Sequence, residues 1–442
     1  MKKPLLSLSQ IINMSIGFLG IQFGFALQNG NASRILQTFG ADVEHLSWFW
    51  LAAPLTGMIV QPIIGHFSDK TWGRFGRRKP YFLVGALLAS TALLFMPNAS
   101  ALAGILPAVI IGAGILMLMD ASFNVAMEPF RALVADNLDD KQSTLGFSIQ
   151  TVLIGVGAVI GSWLPYILAE WFGIEKVAEV GQVPDNVKYS FYFGAAIFLL
   201  SILWTVLNTK EYSPEERKKM GFVEAEDSHE GLSAIIKDFK NMPTAMKQLG
   251  LVQFFSWIAL FSMWVYSVPA IANHIYGLPI EDHSSQEYNE AGNWVGILFG
   301  IYNGISAIYA LFLPKIAAKY GKKKTHAFSL VCGGLGLISI FFIKDPNWLI
   351  LSMIGVGFAW ASILAMPYAI LANHIPMNKM GVYMGIFNFF ITFPQIINGI
   401  FGGPILKHLY NSNSIYAILM AGIFMIIAAF CVTVIHESKP NE

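Results

Sequence analysis

GHFSDKTWGRFGRRKP, residues 65–80, sets Lys70, Arg74, Arg77, Arg78 and Lys79 between two apolar runs, at roughly 46–67 and 79–97. Each run is close to the ~20 residues that a helix needs to cross a hydrocarbon core. The positive-inside rule places a short, strongly basic connection between two such runs on the cytoplasmic face of a membrane. On that reading the chain is an all-α membrane protein, and its composition agrees. Of its 442 residues, 55% are hydrophobic and 12% are charged, about half the charge of an average soluble domain. Mean hydropathy is +0.57, so the bulk partner is the lipid bilayer. A net charge of +1 offers nothing to a nucleic acid, and none is expected as a partner. Cys332 and Cys431 lie in apolar runs with neither metal nor disulfide spacing and read as packing residues. Lys2 and Lys3 precede an apolar run too long for a cleaved leader, so the first run is expected to span.

Working outward from the loop, twelve apolar runs are expected to span, at roughly 9–30, 46–67, 79–97, 102–127, 144–169, 189–208, 248–274, 292–313, 325–343, 347–371, 380–404 and 414–435. Connections after even-numbered runs carry the cations: the 65–80 loop, Lys315, Lys319, Lys322, Lys323 and Lys324 after the eighth, and seven more in 209–247. Connections after odd-numbered runs hold Arg34, Lys176, Lys188, Lys344 and Lys407. Both termini and the 209–247 segment are therefore expected in the cytoplasm of a multi-pass protein of the cell membrane. The chain divides into a six-helix bundle at 1–208, a cytoplasmic linker at 209–247 and a second six-helix bundle at 248–442. The linker carries acidic runs such as EAEDSHE (224–230). It closes with Leu232, Ile235, Ile236 and Phe239 on one helical face, which predicts an amphipathic helix on the inner membrane surface.

The two halves repeat. FRALVADNLDDKQSTLGF parallels PYAILANHIPMNKMGVYMG, with Asp136 opposite Asn373, and GRFGRRKP parallels AKYGKKKT. Equivalent stretches face the same side, so the repeats are parallel, the plan of two bundles about a central path with substrate near mid-membrane.

GHFSDKTWGRFGRRKP also resembles the loop signature of the major facilitator superfamily, and more narrowly the sucrose and maltose proton symporters. Three further stretches resemble that subgroup: LGIQFGFALQ (19–28); the ordered set Asp120, Asn124, Pro129, Arg131, Ala132 and Asp136; and GIFNFFITFPQ (385–395) followed by Gly402, Gly403 and Pro404. The resemblance covers essentially the whole chain. It implies the major facilitator fold of twelve helices in two bundles, a proton-binding carboxylate at Asp120, and a gating role for Asp69, Arg74, Arg77 and Arg78. The chain departs from the subgroup at Glu128, where a small residue is expected, and in the acidic IEDHSSQEYNEAG.

The fourth run carries the unusual charges. Asp120, Asn124, Glu128 and Arg131, spaced by four, four and three, fall on one helical face. A charge at the bilayer centre costs roughly 2.5–3.5 kcal/mol on insertion scales, so the stripe must face a cavity or partners. Asp120 lies deepest and is the candidate that loads a proton on one side and releases it on the other. Glu128 and Arg131 are candidate members of the same coupling group; a structural ion pair between them is the open alternative. Arg131 and Asp136 are also placed to serve a cytoplasmic gate with the 65–80 loop.

Neutral sugars need amide hydrogen bonds and aromatic surfaces. The candidate substrate-binding residues are Gln28, Asn124, Gln150, Trp257, Asn303, Asn388 and Gln395, with Gln22, Gln61, Gln253, Asn398, Phe25, Trp264, Tyr302 and Trp360 at similar depth. For each amide the competing role is interhelical glue, worth about 0.6 kcal/mol. Trp48 and Trp50 are expected in the interfacial belt, and His274 and His374 as bystanders. No H-E-x-x-H, G-x-S-x-G, phosphate loop or Cys/His cluster occurs, so an enzyme is not expected, nor a metal or cofactor. The expected function is proton-coupled symport of a neutral disaccharide, maltose- or sucrose-like, by alternating access, in a protein acting as a monomer. A sodium- or proton-coupled carrier of another glycoside, monosaccharide or sugar acid is the alternative.

Overall fold

The computed structural model describes residues 5–70, 72–138, 140–213, 215–216, 239–371 and 380–435. Within these, the side chains at 52, 61–62, 65–67, 69–70, 128, 131–132, 134–136, 140–145, 147–148, 314 and 380–385 lie outside the described set. The helix predicted at 232–239, apart from Phe239, and the positions of His374 and Asn373 also fall outside it.

The described residues are helical almost throughout. In chain order the helices are α1 (Leu8–Thr38), α2 (Leu46–Trp50), α3 (Ala52–Lys70), α4 (Lys79–Phe95), α5 (Ala108–Asn137), α6 (Asp140–Glu170), α7 (Asp185–Asn208), α8 (Thr244–His274), α9 (Gln286–Tyr320), α10 (Lys322–Phe342), α11 (Leu349–Leu371), α12 (Met380–Tyr410) and α13 (Ile415–Thr433). Among the described residues, eleven helices are long and apolar enough to cross a membrane. Pro129, Pro165, Pro269, Pro367, Pro394 and Pro404 sit inside them, as membrane helices tolerate when neighbours re-satisfy the freed carbonyls.

The second expected run is not one helix. It divides at Leu51 into α2 and α3. Pro54 explains the break: it cannot donate to the Trp50 carbonyl four residues back, and its ring crowds that carbonyl. Two further expectations are corrected. Arg34, read as a loop cation, lies inside α1 and is buried. Trp50, read as a belt residue, is buried edge-on against Phe261 with ring centroids 6.4 Å apart. Trp48 is exposed, and its indole N–H donates to the Ile400 carbonyl at 3.1 Å.

The chain forms two compact units: residues 1–40 with 55–228, and residues 41–54 with 229–442. In the first, α1 packs on α6 and α7, and α4 packs on α5 and α7. In the second, α8 packs on α12 and α13, and α10 packs on α11 and α13. Counted as membrane spans, these are the same four pairings moved on by six, so the duplication read from sequence recurs in the packing. The basic loops match too. Gly76 and Gly321, aligned in GRFG and AKYG, have φ of +99° and +89°, a left-handed backbone that a side chain would strain.

Helix α1 is held at close range. A Cβ on Gly157 of α6 would lie 2.3 Å from the Leu19 carbonyl oxygen of α1, the small-residue contact that lets membrane helices approach. This contact fixes the helix that carries Gln28.

Candidate functional site

In the first unit, Asp120 is the thirteenth residue of the thirty in α5, near its middle, and is 1% exposed. The Gln28 side chain donates through Nε2 to Asp120 Oδ1 at 2.6 Å, from helix α1. Gln28 Oε1, Asp120 Oδ2 and Gln150 Nε2 are buried with no hydrogen-bond partner among the described residues. An orphaned buried polar atom costs about 1–3 kcal/mol, and Gln28 and Asp120, bonded to each other, each keep one such oxygen, a pair left open to a hydrogen bond that something else supplies. Asn124, one turn on from Asp120, donates to the Asp120 carbonyl at 2.9 Å. Phe25 lies edge-on to Phe123 at 4.6 Å, packing the next turn of α1 against α5.

Arg34 extends this stripe. Its Nη2 donates to Asn31 Oδ1 at 3.0 Å, and Asn31 Nδ2 donates to the Leu27 carbonyl at 2.9 Å. Gln28, Asn31 and Arg34 thus climb α1 at three-residue intervals. Sequence reasoning missed Arg34 because charge counting assigned it to a connection; its i, i+3 spacing from Asn31 and Gln28 was the available signal.

The 65–80 loop has a second organiser that the sequence reading missed. Glu211, just beyond α7, accepts the backbone N–H groups of Arg77 at 2.6 Å, Arg78 at 3.1 Å and Lys79 at 2.9 Å. These are orphan donors at the start of α4, and a carboxylate there satisfies them and opposes the helix dipole. The turn itself closes by reciprocal bonds between Gly73 and Gly76. Arg78 donates to Ser68 Oγ at 3.3 Å. The side chains of Asp69, Glu128, Arg131 and Asp136 lie outside the described residues. In the second unit, Lys322 donates to the Ala369 carbonyl at 2.8 Å and Lys323 to the Ile435 carbonyl, so cations of the repeated loop sit on carbonyls at or just past helix C-termini.

The other sugar-binding candidates lie in the second unit. Trp257, Asn303, Asn388 and Gln395 are all partly exposed. Asn303 Nδ2 donates to the Phe299 carbonyl and Gln395 Nε2 to the Ile391 carbonyl, each at 2.9 Å. Asn398 is committed to packing, donating to the Ile258 carbonyl and to Ser262 Oγ at 2.7 Å. His274 bonds the Phe341 carbonyl at 2.8 Å and stacks on that ring.

At the other end of this unit, the segment before α3 docks on α12. Ser47 Oγ accepts the Gly403 N–H at 2.9 Å, Lys407 donates to Glu44 at 2.6 Å, and Ser412 donates to the other Glu44 oxygen. The Lys407 ammonium, then the Ser412 hydroxyl, hold the Glu44 carboxyl below its ordinary value. A lowered carboxyl stabilises the dock above its unfolded pKa and loses that contribution as pH falls through the folded value. Glu44→Gln is accordingly expected to lower the amide hydrogen-exchange protection of Leu46–Trp50 at pH 7, as protonation of Glu44 in strong acid lowers it in the wild type once the slower intrinsic exchange is allowed for. Equal exchange in the two proteins at pH 7 refutes this.

Duplicated bundles of membrane-crossing helices, with a buried carboxyl in one and a signature basic loop in each, define a multi-pass membrane transporter. A family model for the Major Facilitator Superfamily matches residues 14–399, and the chain belongs to that superfamily. It is 25% identical over 467 residues to the sucrose transport protein SUT1 of Oryza sativa subsp. japonica, covering 96% of this chain and 86% of that protein. It is 24% identical over 420 residues to the sucrose transport protein SUC4 of Arabidopsis thaliana, covering 87% and 82%. Among solved structures, the nucleoside transporter NupG matches with a TM-score of 0.69 at 16% identity, covering 98% of this chain and 100% of that one. A D-xylose-proton symporter matches with a TM-score of 0.66 at 13% identity, covering 96% and 97%. These two likenesses concern the fold alone.

Proposed function

We propose that the protein is a proton-coupled symporter that imports a neutral disaccharide, maltose- or sucrose-like, by alternating access. One observation carries the reading: Asp120, a carboxyl buried at the middle of α5, is met by a neutral amide at 2.6 Å and has a second oxygen with no partner among the described residues. Such a group binds and releases a proton without breaking an ion pair. A sodium ion gathers several hard oxygens, whereas the described partner here is one amide donor. The sucrose transport relatives support a sugar substrate. Gln28, Asn124 and Gln150 in one unit, and Trp257, Asn303, Asn388 and Gln395 in the other, are the proposed sugar-binding groups, with Glu128 and Arg131 assisting Asp120. Asp69, Arg74, Arg77, Arg78 and Asp136 are the proposed cytoplasmic gate. The chain is read as bundles 1–208 and 248–442 joined by 209–247, monomeric, in the cell membrane, with both termini cytoplasmic.

Uptake of labelled maltose, sucrose, glucose and glucuronate into proteoliposomes, at two external pH values with and without sodium, tests this. Disaccharide uptake that rises with an inward proton gradient and ignores sodium is the expected result. Uptake that follows sodium, or that favours glucuronate, overturns it.

A further inference from the structure

Three tryptophans of the second unit stand where tryptophan is uncommon. Trp48, Trp171, Trp204 and Trp348 are exposed and lie at or near helix ends, as an interfacial belt requires. Trp257 and Trp264 instead flank the midpoint of α8, and Trp360 is the middle residue of α11. Their ring centroids are 6.2, 6.0 and 5.8 Å apart, and their planes cross at 64°, 76° and 90°. Three mutually steep indoles form a corner, and all three are partly exposed.

The corner is braced and polar at its base. Trp264 Nε1 donates to the Tyr302 hydroxyl at 3.1 Å, and Tyr302 is buried beside the midpoint of α9. Among the described residues, Trp257 Nε1 is buried without a partner. Gln253, one turn away on the same face of α8, is fully buried with both amide atoms unpartnered among the described residues. No charged residue occurs at 248–273, 291–314 or 349–371, the central stretches of these three helices. Flat apolar faces, one free indole donor, one free amide and no charge together describe a complement to an uncharged ring that bears hydroxyls.

We propose that Trp257, Trp264 and Trp360 form a subsite for the second ring of a glycoside, and that stacking there selects disaccharides and flat aglycones over single sugars. This rests on the sugar reading above and adds the residues that decide substrate size. Trp264 and Trp360 are specificity-determining, and Gln253 with Trp257 Nε1 supplies hydrogen bonds to ring hydroxyls.

Half-saturation concentrations for maltose, sucrose, glucose, methyl α-glucoside and p-nitrophenyl α-glucoside are measured by counterflow in proteoliposomes of the full chain. In the wild type the nitrophenyl glucoside competes more tightly than methyl α-glucoside. In Trp360→Leu the ratio of the better disaccharide's half-saturation to that of glucose rises about tenfold, the scale of one lost aromatic stack; Trp360→Phe holds that ratio near wild type. Equal changes for disaccharide and glucose make the corner mere packing and overturn the subsite, as does no change at all. Should Trp360→Leu not fold, the wild type alone decides: no preference for the nitrophenyl over the methyl glucoside overturns it. A wild type that moves glucose as tightly as disaccharide leaves the sugar reading standing and sinks the subsite. One that moves no sugar of the panel sinks both.

Discussion

Asp120→Asn abolishes uphill sugar accumulation while sugar exchange across the membrane continues. Asparagine has the shape of aspartate and can still accept the Gln28 N–H that reaches Oδ1 at 2.6 Å, so α1 and α5 keep their contact. What the variant loses is the ability to carry a proton. Each proton moved across about one pH unit supplies about 1.4 kcal/mol, enough for about tenfold accumulation of a co-transported solute. Without it the internal concentration rises only until it equals the external one. Two measurements are paired in proteoliposomes: labelled-sugar accumulation under an imposed pH gradient, and counterflow without one. A variant that still concentrates sugar removes Asp120 from the coupling step. A variant that loses counterflow as well, with its fold intact, makes the carboxylate a sugar ligand first.

The second large effect comes from a residue that touches no substrate. Gly157→Val forces a branched side chain into a space where even a Cβ would lie 2.3 Å from the Leu19 carbonyl oxygen. The obstacle is backbone on both sides, so no rotamer relieves it, and α1 must move away from α6. Overpacking of this kind costs about 1–3 kcal/mol where side chains can give, and backbone gives less. Because α1 carries Gln28, Asn31 and Arg34, the displacement also breaks the contact with Asp120. The expected result is a lower melting temperature in detergent and transport reduced to background, with Gly157→Ala intermediate in both. Wild-type melting and uptake in Gly157→Val would show that α1 is not seated as described.

The fold was legible because hydropathy reports on a bilayer, a solvent that makes the same demand on every segment that crosses it. The failures share a cause. Arg34 was assigned by its distance from an apolar run, yet α1 continues past that run and buries it. Trp50 was assigned to the interface by residue type, whereas Pro54 breaks the helix beside it and the indole packs on Phe261. Within the site, the depth of Asp120 was readable from one segment. Its pairing with Gln28, 92 residues away, was not, although both residues were candidates separately. Glu211 was unreadable for the same reason: its three bonds go to backbone N–H groups more than 130 residues earlier, and no local pattern marks an acid as the cap of a distant helix.

The chain passes from one compact unit to the other at 40–41, 54–55 and 228–229, not once. A cut in the 209–247 region would therefore leave each fragment imperfect: the amino-terminal piece would keep a fourteen-residue stretch that its own core does not use, and the carboxy-terminal piece would lack the segment whose Ser47 and Glu44 bond Gly403 and Lys407. Split versions of this protein should recover best when a synthetic or duplicated 41–54 peptide is supplied to the carboxy-terminal fragment, because the break in covalent continuity and the break in packing fall at different places.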